Sequence, residues 1–189
     1  MASGVCAVVT TIPPRRARLG RALESIYTQT VPPDAVAVVT DHDHQGVWVT
    51  RACGVRMAQA AGTPWTAFLD DDDTWYPQHL ERLLHRQAET GADLVYPCFD
   101  GSAAPILGFC GQPFNPETMA TVTITVLVRT DLAAQIQLGP PNPEERNAND
   151  DHRLLHGVLG LGGTVEHLPE ATWSYNVHGQ NTSGQPSRW

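Results

Sequence analysis

The sequence predicts an α/β fold with a mostly parallel central sheet flanked by helices on both faces. Three observations carry this. Short apolar, β-rich runs alternate with amphipathic helical segments over the first hundred residues. Glycine and proline punctuate the boundaries between them. Carboxylates collect at the ends of two apolar runs, where parallel sheets of this type bind ligands.

"GVCAVVTT" (4–11) reads as a buried strand. Pro13 and Pro14 then lead into "RRARLGRALESIYTQT", where Leu19, Leu23, Ile26 and Tyr27 recur at helical spacing with arginines opposite. "VPPDAVAVVTD" holds a second strand, about Ala35 to Thr40. "VWVTRACGVRMAQAAG" is helical and stops at Gly62. "WTAFL" is a third strand. "PQHLERLLHRQAETG" is a helix with Pro77 in its first turn, Leu80, Leu83 and Leu84 inward, and Gly91 as terminator. "DLVYP" is a fourth strand. Residues 98–120 read as a long loop, "TVTITVLVR" (121–129) as a strand with one wetter face, and "LGPPNPEERNAND" (138–150) as another loop. "DDHRLLHGVLGLGG" is a short helix, and "TVEHLP" and "TWSYNVH" are two strands. With no repeat, linker or low-complexity tract, the expectation is one domain over 1–189.

A chain of 189 residues builds one substantial core, and 41% hydrophobic with 17% charged residues is ordinary globular composition. A formal charge of −8 weighs against a nucleic-acid backbone as main partner, although a nucleic-acid acceptor stays open. All 12 basic residues are arginine, so no lysine is on hand for catalysis. Cys6, Cys53, Cys98 and Cys110 form no Cys-x-x-Cys pair, which fits thiols in a reducing cytoplasm. No basic-then-apolar leader and no run of about 20 apolar residues is present, so neither secretion nor an integral membrane segment is expected.

The stretch to explain is "WTAFLDDDDTWYP" (65–77). Unit charges about 4 Å apart repel by about 4 kcal/mol at an effective dielectric near 20. Asp70, Asp71, Asp72 and Asp73 therefore either splay into water, capping the helix that begins near Pro77, or hold a cation. An EF-hand loop fails, because Trp75 stands where the turn needs glycine and Pro77 intrudes. A hard divalent ion held by one or two carboxylates and substrate phosphates fits better. "TDHDH" (40–44) is a second cluster, read as a polar loop. His152 and His156 have the i, i+4 spacing of a zinc pair without an obvious third ligand. Arg15, Arg16, Arg18 and Arg21 form the solvated face of the first helix, with Arg15 or Arg16 near enough to approach a diphosphate. Trp75 and Tyr76 either stack on sugar or cover the helix start, and Phe109 and Phe114 either belong to an acceptor-side loop or not.

Taken in order, these segments resemble a family-2 glycosyltransferase with the GT-A fold (Rossmann-like, for nucleotide-diphospho-sugars). "VVTTIPPR" resembles the family's opening strand and turn. "VTRACGVRMAQAAGTPWTAFLDDDDTWYPQHLERLL" is similar to its Ala-Arg-Asn-x-Gly helix, Asp-x-Asp-Asp loop and Pro-x-x-Leu-Glu helix. "NDDHRLL" and "WSYNVHGQNTSG" resemble its Glu-Asp motif and closing segment. The chain departs from the pattern at Ala52, at the Asp150–Asp151 pair and at "TDHDH". The resemblance implies metal-dependent, inverting transfer of a sugar from a nucleoside diphosphate sugar (UDP-sugar by default) to an acceptor hydroxyl on a saccharide, lipid-linked sugar, protein or hydroxylated nucleobase. It places Thr11, Pro13, Arg15, Asp41, Arg51, Asp70 and Asp71 around the donor, with Asp41 toward the nucleobase. It assigns Mn²⁺ or Mg²⁺ to Asp72, Asp70 and His178, and the catalytic base to Asp151, so that the half from about 1 to 97 would serve nucleotide sugar and metal, and about 98–189 the acceptor and catalytic base. Two rivals remain at this stage. One is a metal-dependent phosphoesterase using Asp41, His44, Asp70 and Asp72; the other is a non-catalytic nucleotide-sugar binding module. Oligomeric state is not legible.

Overall fold

In the computed structural model, residues 3–43, 45–100, 124–136, 138, 150–176 and 178 are described. Among these described residues, seven strands form one sheet: β1 (Val5–Thr11), β2 (Ala35–Thr40), β3 (Trp65–Asp70), β4 (Thr74–Trp75), β5 (Leu94–Asp100), β6 (Leu127–Arg129) and β7 (Val165–Ser174). Five helices accompany them: α1 (Arg16–Tyr27), entered through a 3-10 turn at Pro13–Arg15, α2 (Val47–Ala60), α3 (His79–Thr90), α4 (Thr130–Ala133) and α5 (Asp150–Gly160). The sheet order is β2-β1-β3-β6-β5-β7-β4. β1 pairs in parallel with β2 and β3, and β5 with β7, while β6 and β4 run against their neighbours. Five of the seven strands thus point one way, as the alternation of elements predicts.

Side-chain alternation along each parallel strand splits the core in two. Cys6, Val8, Phe68, Leu94 and Tyr96 face Val55 and Ala58 of α2 and Leu154, Leu155 and Val158 of α5. Val5, Ala7, Val9, Ala67 and Leu69 face Ala22 and Ile26 of α1 and Leu80 and Leu83 of α3. Helices on both faces explain why β1 is buried along its whole length. Leu84 lies at the rim of its core instead of within it.

Several expectations change. The two strands foreseen after residue 163 are one: Leu168 pairs with Pro97 and Ala171 with Cys98, so Pro169 and Glu170 are absorbed as a bulge. Of the run at 121–129, the described residues from 124 onward supply β6, three residues that bridge β3 and β5. Two elements were unforeseen, β4 within the acidic turn and α4 after β6. Gly62 and Gly91 do end their helices, at φ +71° and +69°. Cys6 is buried, whereas Cys53 is only half-buried, and Cys6, Cys53 and Cys98 make no disulfide among the described residues. Cys110, Phe109, Phe114 and His44 lie outside the described residues. No helix among the described residues is long and apolar enough to cross a membrane.

Candidate active site

The register of the parallel strands assembles the site. Thr11 pairs with Thr40, and Thr10 with Asp70, so the ends of β1, β2 and β3 lie along one edge. Asp41 extends that edge, its N–H donating to the Thr11 carbonyl at 2.8 Å. The acidic run begins at the last residue of β3 and turns back at once, because Asp73 N–H donates to the Asp70 carbonyl.

Four consecutive carboxylates are possible because alternate ones do different things. Asp71 and Asp73 point inward and are almost fully buried. Asp71 accepts from Thr11 Oγ1 at 2.6 Å and from Arg15 Nη1 at 3.0 Å, which ties the turn to the end of β1. Burial nevertheless lifts the Asp71 carboxyl above its usual range, against the pull of those two donors. Asp73 accepts from the Asn176 N–H at 2.9 Å, and Asn176 Nδ2 returns to the Asp72 carbonyl at 2.8 Å. Burial first, then the charge of Asp70, pushes the Asp73 carboxyl up to about 9. The segment after β7 thereby clips the acidic turn in place.

Asp70 and Asp72 are the pair left partly exposed. Asp70 accepts both 2.8 Å and 3.2 Å bonds from Arg51 Nη2. Asp72 Oδ2 lies 2.9 Å from His178 Nε2 and 3.3 Å from Arg15 Nη1. Arg51 also reaches Asp151 Oδ1, in the first turn of α5, at 3.5 Å. The structure thus gathers two bonded sets that meet in the acidic turn, Thr11, Arg15, Asp71, Asp72 and His178 in one and Arg51, Asp70 and Asp151 in the other. Pro13 sits exposed in the 3-10 turn that carries Arg15 into it. Asp41 is buried at the same edge, but its two oxygens accept the backbone N–H groups of Gln45 (2.9 Å) and Gly46 (2.8 Å), shaping the entry to α2.

Other readings are settled by burial. The aspartates do not cap α3, whose N-cap is Gln78 without a side-chain bond. Trp75 is 3% exposed and stacks on His79 at 4.4 Å, so it covers the helix start and offers no face to a sugar. Tyr76 donates to Asp100 at 3.1 Å. Arg16 and Arg21 are solvated, while Arg15 turns inward. His152 is buried and His156 exposed, and among the described residues no third side chain joins them as a zinc site. Among the described residues, no three His, Cys, Asp or Glu side chains converge as a complete metal cage. Asp72 and His178 do converge, and their O/N donor set with Asp70 nearby suits a hard ion that takes its remaining ligands from phosphate. Sequence reasoning missed Asp73 and Asn176 as the clip. Asn176 stands two residues before His178, yet nothing in its spacing announces a partner about a hundred residues away.

Residues 36–107 match the family model described as Glycosyl transferase family 2. No curated protein matches the chain significantly. Among solved structures, S. aureus TarS 1-349 in complex with UDP-GlcNAc superposes with a TM-score of 0.71 at 16% identity, covering 97% of this chain and 61% of that one. TarS 1-349 in complex with UDP gives 0.69 at 15% identity, covering 95% and 62%. S. aureus TarS gives 0.70 at 16%, covering 94% and 37%. The chain therefore spans less than two thirds of the length of the structures it resembles. The GT-A fold implied by the sequence is borne out.

Proposed function

From a chain that is GT2-like in sequence and GT-A in fold, we propose a glycosyltransferase that moves a sugar from a nucleoside diphosphate sugar to an acceptor hydroxyl, metal-assisted and with inversion. A UDP-sugar is the default donor, in keeping with the UDP and UDP-GlcNAc bound by the TarS structures that share the fold. The observation that carries the reading is the division of carboxylates. Asp72 lies with His178 at the acidic turn after β3, whereas Asp151 comes from a separate element, the first turn of α5.

That division matches what the reaction demands. A departing diphosphate accumulates negative charge as the glycosidic bond breaks, and an oxygen nucleophile must lose its proton on the opposite face of the sugar. Asp72, His178 and Asp70 would hold Mn²⁺ or Mg²⁺, which when bound stabilises the diphosphate charge electrostatically. Arg15, already drawn to the cleft by Asp71 and Asp72, is placed to add a fixed positive charge beside that leaving group. Asp151 takes the acceptor proton at its carboxylate oxygen. Thr11 and Asp71 keep the turn rigid, so that neither ligand swings away. Buried Cys6 and Cys98 suit a reducing cytoplasm. The acceptor class is left open by the site, and no observation favours the phosphoesterase, whose His44 is outside the described residues.

A thermal-shift screen of nucleotide sugars with and without Mn²⁺ tests the reading. At 100 times its Kd a ligand adds about 2.7 kcal/mol, or a rise of roughly 5–10 °C for a chain of this size. A UDP-sugar shift that needs the metal is expected. No shift with any nucleotide sugar refutes it, and a shift without turnover on any acceptor favours a binding module.

A further inference from the structure

Arg51 does something that a nucleotide contact does not require. It is 5% exposed, it lies on α2, and its guanidinium spans two carboxylates that lie 19 and 100 residues further along the chain. Nη2 takes both oxygens of Asp70 at the end of β3, and Nη1 faces Asp151 on α5. A charge buried to this degree is tolerated only when paired, and only a planar fork serves two carboxylates in two directions at once. Its direction is set from below. Three residues on, Gly54 brings α2 so close to β1 that a Cβ there would lie 2.2 Å from Val8 Cγ1. Val55 and Ala58 complete the same buried face.

We propose that Arg51 is a positioning residue, which aims Asp151 at the acceptor by clamping it to the Asp70 side of the cleft. The inference rests on Asp151 being the base of the proposed transferase, and it makes the cation side and the proton-accepting side one electrostatic unit. Positive charge arriving at Asp70 competes with Arg51 for that carboxylate and leaves the guanidinium to Asp151. Donor binding then tightens the hold on the base before transfer.

The test uses the full chain and two readouts. In a double-mutant cycle of R51K and D151N followed by urea unfolding, the lysine keeps a charge but loses the second arm of the fork. The unfolding constants are expected to depart from additivity by about threefold or more, the usual scale for residues in contact. Additivity within experimental error overturns the clamp, and this holds even if no nucleotide sugar binds, so failure of the transferase reading is seen separately. In the second arm, UDP affinity is measured by calorimetry with Mn²⁺, and turnover by UDP release from UDP-GlcNAc. Because Arg51 competes with the cation for Asp70, R51K is expected to leave Mn²⁺-dependent UDP affinity undiminished or raised while lowering kcat tenfold or more, as mispositioned catalytic groups do. An equal loss of affinity and turnover makes Arg51 a donor contact and refutes the proposal.

Discussion

Gly54→Ala is the perturbation that best separates packing from propensity. In an isolated helix the change is favourable by about 1 kcal/mol. Here the new Cβ would sit 2.2 Å from Val8 Cγ1 and 3.3 Å from its Cβ. Carbon atoms rest at about 3.5–4.0 Å, so the overlap exceeds roughly 1 Å. Val8 is fully buried at the middle of β1 and, being β-branched, has little rotamer freedom with which to yield. The helix must lift instead, at the upper end of the about 1–3 kcal/mol typical of overpacking. After the propensity gain, a net loss of about 1–2 kcal/mol remains, or roughly 2–8 °C in melting temperature. Differential scanning calorimetry reads it directly. In a Val8→Ala background the same change should become neutral or stabilising. An unchanged or raised melting temperature for Gly54→Ala alone refutes the reasoning, including the account of how Arg51 is aimed.

His79 is fully buried, stacked on Trp75 and bonded to Thr172 Oγ1 at 2.8 Å, and burial pulls its pKa down from 6.5 to about 3. Above pH 6.5 neither state takes the proton; as pH falls toward 3 only the unfolded chain does, so stability declines by about 1.4 kcal/mol per pH unit. His79→Phe should flatten that slope between pH 6 and 5 in urea titrations, and equal slopes would contradict a buried neutral imidazole. Asp151→Asn should leave calorimetric donor affinity nearly intact while transfer falls roughly 10²–10⁴-fold, the scale of a general base; full transfer would remove Asp151 from that role. Asp72→Ala should weaken the Mn²⁺-dependent part of donor binding, and identical affinity with and without the side chain would count against its ligand role.

Much of the architecture is legible in the chain because periodicity is local. The run Ala35–Thr40 and the helix from Val47 are set by apolar spacing within a dozen residues, and both occur where that spacing puts them. What is not legible is long-range. The sequence offers four identical side chains in a row, and only the pairing of Thr11 with Asp71 and Asn176 with Asp73 decides which face inward. Trp75 looks like a sugar platform until β4 pairs it with Trp173 and buries it. Pro169 reads as a strand break, because a bulge is defined by the partner strand and not by the bulged one. Arg51 is visible as a motif residue, yet its reach to α5 depends on how two helices are seated on one face of the sheet.

The strand order also constrains how the polypeptide is made. β3 cannot acquire its second neighbour until Leu127–Arg129 exist, and Thr74–Trp75 wait for Trp173 and Ser174. During synthesis, the first hundred residues therefore leave the ribosome carrying unmated strand edges, and their nascent form must be shielded until the tail arrives. Such long-range closure slows folding and favours association of incomplete chains.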